Sequence, residues 1–226
     1  MTSFSIPTEV SRITEALKKS SFQAYLVGGC VRDLVSGLKP KDWDVTTNAK
    51  PEEIAALFAK TFYENVYGTV TVVNEETTDE TLRHIEITPY RLESKYSDQR
   101  RPDTVTWSTK LEDDLKRRDF TINALALDPA EGEIVDLYNG QKDLKDKIVR
   151  AVGKPEERLS EDPLRIMRGI RLATQLGFAI ESETAASIQK TANSLKIISP
   201  ERIRDEFIRI IMTKEPMIGL VLAHKL

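Results

Sequence analysis

The chain has 226 residues, 40% of them hydrophobic, enough for one large domain or for a domain with a smaller companion. Its 33 Lys and Arg against 36 Asp and Glu leave a net charge of −3, which argues against nucleic-acid binding by bulk charge and leaves room for a local basic patch. The single cysteine, Cys30, excludes an intrachain disulfide, and the two histidines, His84 and His224, all but exclude zinc centres and Ser–His–Asp triads. Chemistry is left to carboxylates, arginines and bound metal.

Pro7 to Lys19 reads as a helix, with Val10, Ile13 and Leu17 at helical spacing and a proline suited to the first turn. A short apolar run, Ala24 to Val27, reads as a strand broken by Gly28 and Gly29, and a helical stretch follows from Val31 to Ser36. Asp42 to Thr46 has the pattern of a strand, and Pro51 opens a helix through Phe58. The runs Thr69 to Val73 and His84 to Thr88 are rich in β-branched residues and read as strands. The polar stretch ESKYSDQRRPD, between Leu92 and Asp103, looks like a mobile loop, and Asp119 to Leu127 looks helical. Beyond Gly140 the pattern is mostly helical: Asp162 to Leu176, Glu183 to Leu195, Pro200 to Met212 and Pro216 onward, with one further strand at Ile148 to Val152. The expected architecture is an α/β (α+β) head with a mixed sheet over 1–145 and an all-α domain over 146–226. The last apolar helical pattern (Met217, Leu220, Val221) carries no closing cap, so a longer parent chain is expected. The N-terminus carries no secretory signal and no apolar run approaches the ~20 residues that span a bilayer; a cytoplasmic protein without membrane contact is expected.

Asp42-Trp43-Asp44 is the most informative triplet. On a strand, residues two apart share a face, and two like charges held together call for a cation between them. Hard carboxylate oxygens suit Mg²⁺, which keeps waters and bridges substrate phosphates. Glu86 stands where a neighbouring strand offers a third carboxylate. The turn Val27-Gly28-Gly29-Cys30 exposes backbone N–H groups to an anion, and Arg32 adds a charged fork to the same phosphates. Gly29 precedes Asp42 by only 13 residues, so phosphate cradle and metal carboxylates fall on adjacent strand ends.

These motifs resemble the signature of the class II tRNA nucleotidyltransferases. That family comprises the CCA-adding enzymes and bacterial poly(A) polymerases of the polymerase-beta-like superfamily. LVGGCVRD is followed by Gly37 with Asp42-Trp43-Asp44 and Thr46. Arg117 to Ala124 resembles the family's RRDFTxNA motif, and Val135-Asp136-Leu137 with Gly140 and Asp143-Leu144 looks like its link to the second domain. Glu161-Asp162-Pro163-Leu164-Arg165, continuing to Arg168 and Arg171, is similar to the nucleotide-selection helix of the neck domain. The resemblance implies Asp42 and Asp44 as Mg²⁺ ligands, with Glu86 beside them as a catalytic carboxylate. It implies nucleotide binding by Gly28, Gly29, Arg32, Arg118, Asp119 and Asn123, the last two four apart on one helix face. Asp162 and Arg165, three apart, are expected to pair with the base, while Arg168 and Arg171 reach the triphosphate or base.

Base choice without a template then has a physical form. Cytosine and adenine both place an amino donor beside a ring-nitrogen acceptor; uracil and guanine reverse that order, leaving mismatched groups at a carboxylate–arginine pair. Each unpaired group costs about 1–3 kcal/mol. The resemblance implies addition of CMP and AMP, from CTP and ATP, to the 3′ end of tRNA. The alternatives are an A-adding enzyme or poly(A) polymerase, and a nucleotide-binding fragment inactive on tRNA because body and tail are missing. ESKYSDQRRPD is similar to the family's flexible loop, with Arg100 and Arg101 expected either to touch phosphate or to help switch the pocket. Leu111 to Lys116 leads directly into RRDFT, without the insert associated with poly(A) polymerases, which favours tRNA. Oligomeric state is left open.

Overall fold

A computed structural model describes residues 4–64, 68–93 and 105–226. Contacts divide these residues into two units. The first holds the residues up to Leu92 together with Val105–Arg117 and Asn123–Leu137; the second holds Arg118–Ile122 and Tyr138–Leu226. The division therefore falls near residue 137 rather than 145, and a five-residue stretch before it joins the second unit.

In the first unit, α1 (Thr8–Lys19) buries Val10, Ile13, Thr14 and Leu17, one stripe at helical spacing. It leads through Ser21, at φ 66°, into β1 (Ala24–Val27). Then follow α2 (Gly29–Val35), β2 (Trp43–Thr47), α3 (Pro51–Leu57), β3 (Thr61–Glu64), β4 (Thr69–Val73) and β5 (His84–Pro89). After these come β6 (Arg91–Glu93), β7 (Val105–Trp107), α4 (Leu111–Lys116), β8 (Leu125–Leu127) and β9 (Ile134–Asp136). Seven strands form a sheet in the order β3-β4-β5-β2-β1-β8-β9. Its pairs are antiparallel except β2 with β5, so the sheet is mixed. The parallel pair arises because α3, β3 and β4 intervene between its two strands. Alternation is plain on β5, where Ile85 and Ile87 are buried and His84 and Glu86 exposed.

Asp119 to Leu127 is not a helix. Phe120 makes an isolated bridge with Ala151, Thr121–Asn123 is a single 3₁₀ turn, and Leu125–Leu127 is a strand between β1 and β9. Leu125, Ala126 and Leu127 are all fully buried, so the run is apolar on every side and carries no period that separates strand from helix.

The second unit contains α5 (Gly140–Asp146), β10 (Ile148–Val149), α6 (Pro155–Glu161), α7 (Leu164–Leu176), β11 (Ala179–Ile180), α8 (Ser182–Thr191), α9 (Pro200–Ile211) and α10 (Pro216–Lys225). β10 and β11 form a parallel pair of two residues each, shorter than the strand expected through Val152. The core gathers Leu159, Leu164, Ile166, Met167, Ile170, Ile188, Ile198 and Ile210, drawn mainly from α7 and its neighbours. Gly169 lets α7 approach Phe120 closely; a Cβ there would lie 3.0 Å from the ring's Cζ. No helix among the described residues is long and apolar enough to cross a membrane.

Candidate active site

The first cluster lies where β1 ends. Gly28 has φ 76° and ψ −135°, a conformation open to glycine and strained for any other residue. That turn ends β1 and starts α2 at Gly29. A Cβ built on Gly29 would stand 3.6 Å from Arg32 Nη2 and 3.9 Å from Asp42 Oδ1. Guanidinium and carboxylate thus border the same small space above Gly29, which the missing side chain leaves open.

Arg32 is held in place from two sides. Its Nε and Nη2 donate to Asp33 Oδ1 at 2.9 and 2.7 Å, and Nη1 donates to Asn123 Oδ1 at 2.9 Å. These bonds use three of the five guanidinium N–H donors and leave two for a ligand. Asp33 was not among the expected site residues; its place next to Arg32 was the only signal. Asn123 serves Arg32 in the first unit, whereas Asp119 belongs to the second. The expected pairing of Asp119 and Asn123 on one helix face is corrected, because the segment between them is a bridge and a 3₁₀ turn.

Asp42 is exposed and precedes β2 by one residue; Asp44 is half-buried within it. Across the parallel pair, Asp44 stands in register with Glu86, and in-register neighbours share a face roughly 5 Å apart. Among the described residues, no three of His, Cys, Asp and Glu stand together as a metal-holding group. Glu86 is placed by its register pairing with Asp44. Two carboxylates suffice for Mg²⁺, which takes one or two from a protein and fills its shell with water and phosphate oxygens.

The second cluster surrounds α7. Asp162 lies outside that helix, at φ −140° and ψ 100°, between α6 and the Pro163 cap. The expectation that Asp162 and Arg165 share a helix face is corrected: a residue before proline is pushed out of the helical region. Asp162 Oδ1 accepts from Leu164 N at 3.1 Å, while Arg202 Nη2 donates to Oδ2 at 2.9 Å and Nη1 to Oδ1 at 3.4 Å. Arg165 Nη1 donates to Glu161 Oε2 at 2.6 Å and to the Arg158 carbonyl at 2.9 Å. Arg168 Nε donates to Asp119 Oδ2 at 2.8 Å, and Arg171 Nε donates to Glu206 Oε2 at 2.5 Å. Each α7 arginine thus has its own carboxylate, as expected for side chains that drift around a helix at intervals of three.

Asp119 is buried, and burial works against its charge. The Arg168 guanidinium, with Arg165 and the Phe120 N–H, overrides that penalty and holds the carboxyl far below the usual carboxylate range. The same ion pair raises Arg168. Arg118 is half-buried in the second unit. Arg100 and Arg101 lie outside the described residues.

Residues 24–150 match the family model of the poly A polymerase head domain, and residues 177–226 match the model of the probable RNA and SrmB-binding site of polymerase A. The CCA-adding enzyme of Ligilactobacillus salivarius is 47% identical over 219 residues, covering 95% of this chain and 52% of that protein. The crystal structure of the Bacillus stearothermophilus CCA-adding enzyme in complex with CTP is 35% identical with a TM-score of 0.86, over 97% of this chain and 53% of that one. A CCA-adding enzyme in complex with ATP is 27% identical with a TM-score of 0.75, over 94% of this chain and 49% of that one. The chain spans about half the length of the curated relatives it matches. Sheet order, glycine turn and family match agree, and the chain belongs to the poly A polymerase head-domain family, shared by class II CCA-adding enzymes and bacterial poly(A) polymerases.

Proposed function

We propose that this chain carries the catalytic half of a template-independent nucleotidyltransferase. It would add CMP and AMP from CTP and ATP to the 3′ end of tRNA in the cytoplasm. The observation that carries this reading is the open space over Gly29, bordered by Arg32 and Asp42, with Asp44 and Glu86 side by side on the adjoining parallel strands.

In the proposed reaction the terminal 3′ oxygen of the RNA bonds to the α-phosphorus and the bond to the bridging oxygen breaks. Pyrophosphate leaves, and the hydroxyl proton passes to solvent. Asp42 and Asp44 fit Mg²⁺ by donor chemistry, and the metal when bound would neutralise phosphate charge and favour ionisation of the attacking hydroxyl. Arg32, fixed by Asp33 and Asn123, presents two N–H donors to the triphosphate. Gly28 and Gly29 let backbone N–H groups approach the same oxygens.

Base choice is assigned to the second unit. Asp162 would accept from the amino group shared by cytosine and adenine, and Arg165 would donate to the ring nitrogen beside it. Arg118, Asp119, Arg168 and Arg171 would hold ribose and phosphate positions around α7. The relatives named for CCA addition, with structures holding CTP and ATP, support this over an A-only reading. The test is incubation with tRNA lacking one, two or three terminal nucleotides and labelled CTP or ATP. Addition of C, C and then A is expected; ATP incorporation without any CTP incorporation would instead establish an A-adding enzyme or poly(A) polymerase.

A further inference from the structure

The sheet of the first unit carries an aromatic side chain in line with the proposed site. Phe62 of β3 pairs with Thr71 of β4, Thr71 with Glu86 of β5, and Glu86 with Asp44 of β2. In-register residues share a face, so these four form one row across four strands. The neighbours along β4 and β5 show which face it is: Val70, Val72, Ile85 and Ile87 are buried on the other side, and Glu86 is exposed on this one. Phe62 itself is 57% exposed. At a strand spacing of about 4.8 Å, its Cα stands roughly 10 Å from that of Glu86 and roughly 14 Å from that of Asp44. A single exposed phenylalanine is ordinary; its place in this row is not.

The sheet order β3-β4-β5-β2-β1 puts Phe62 and the Gly29 turn, which follows β1, on opposite sides of the carboxylates. Nucleotidyl transfer needs attacking and leaving oxygens roughly in line through the phosphorus. With the triphosphate over Gly29 and Arg32, pyrophosphate leaves toward β1. The RNA end then comes in from the β5 side, over β4 and β3. These three strands contain no lysine or arginine to hold its phosphates. An aromatic ring holds a base without charge, and every base has a π face. That tolerance suits an acceptor whose last base changes with each addition.

We infer that Phe62 is a stacking platform for the RNA acceptor: one of the last two bases of the strand lies on its ring while the 3′ hydroxyl faces the carboxylates. This rests on the proposed transfer to tRNA. Leucine at 62 keeps apolar bulk and removes the π face, and tyrosine keeps both. Tyr63, next along β3, pairs with Val70 on the opposite face and serves as the control.

The test uses tRNA lacking its last three nucleotides, with the fluorescent base 2-aminopurine as its last or next-to-last base. It is titrated with the 226-residue protein and with its Phe62→Leu, Phe62→Tyr and Tyr63→Leu variants. Fluorescence quenching reports stacking, and the titration reports affinity; CTP affinity with Mg²⁺ and melting temperature are measured beside them. Quenching at one of the two positions is expected for the unaltered protein, Phe62→Tyr and Tyr63→Leu. Phe62→Leu is expected to lose the quenching and to bind the RNA about tenfold more weakly, with CTP affinity and melting temperature unchanged. Undiminished quenching and RNA affinity in Phe62→Leu overturn the inference, as does a loss confined to CTP or an equal loss in Tyr63→Leu. Failure of the unaltered protein to bind the RNA contradicts the proposed transfer to tRNA itself, a result told apart because no variant is then involved.

Discussion

At the scale of single residues, Gly29 and Asp42 carry the most weight. A methyl group at position 29 meets its neighbours at 3.6 and 3.9 Å, ordinary van der Waals distances, so Gly29→Ala should fold normally. It would occupy the space the triphosphate is proposed to enter. We expect unchanged melting and CTP affinity lowered tenfold or more; equilibrium binding of CTP with Mg²⁺ measures it, and unchanged affinity removes Gly29 from the site. Asp42 is exposed and sits outside the regular strand. Asp42→Ala should therefore keep the fold and abolish nucleotide addition, measured by gel extension of tRNA. Asp119 supplies a pH dependence. Its folded carboxyl titrates well below the unfolded value of about 4. The stability it contributes is complete above about pH 4 and is lost as pH falls through the lower folded value. Asp119→Asn should flatten that acid limb and cost about 1–3 kcal/mol at neutral pH, after discounting for the 38% exposure of Arg168. Thermal melts between pH 3 and 7 check both.

At the scale of elements, α7 meets the Arg118–Ile122 segment at two adjacent points: Arg168 by its ion pair and Gly169 by contact with Phe120. Alanine at 169 would gain about 1 kcal/mol of helix propensity. It would also press on a fully buried ring at 3.0 Å, and overpacking of that kind costs about 1–3 kcal/mol. The clash should win, lowering the melting temperature of Gly169→Ala; a raised one shows that Phe120 yields. The same elements show how far the sequence can be read. The strands at Ala24, Thr69 and His84 and the helices at Thr8, Pro51 and Pro200 follow from periodicity, β-branching and prolines at helix starts. Ile134–Asp136 and Ala179–Ile180 escape, because two or three residues carry no measurable period. Phe120 to Leu127 misleads, because a wholly buried run fits either period. Asp162 was assigned to a helix that Pro163 forbids it to join. At the site, Gly29, Arg32 and Asp42 were legible as a motif. The residues that contact the proposed site side chains, Asp33, Glu161, Arg202 and Glu206, were not, since such contacts are tertiary.

At the scale of the whole molecule, two units of different construction carry two halves of one proposed task. The first unit holds Asp42, Asp44 and Arg32, proposed to meet metal and phosphate; the helical unit holds the side chains proposed to read the base. With a net charge of −3, the proposed binding of RNA would rest on local contacts rather than on bulk attraction. Asp42, together with Asp44, is proposed to form the metal-dependent centre of nucleotidyl transfer. It is tested most directly by pyrophosphate release from CTP, with Mg²⁺ and a tRNA lacking its last three nucleotides, for the unaltered protein and for Asp42→Ala. One pyrophosphate for each nucleotide joined is expected from the unaltered protein and none from the variant. Equal release by both would contradict it.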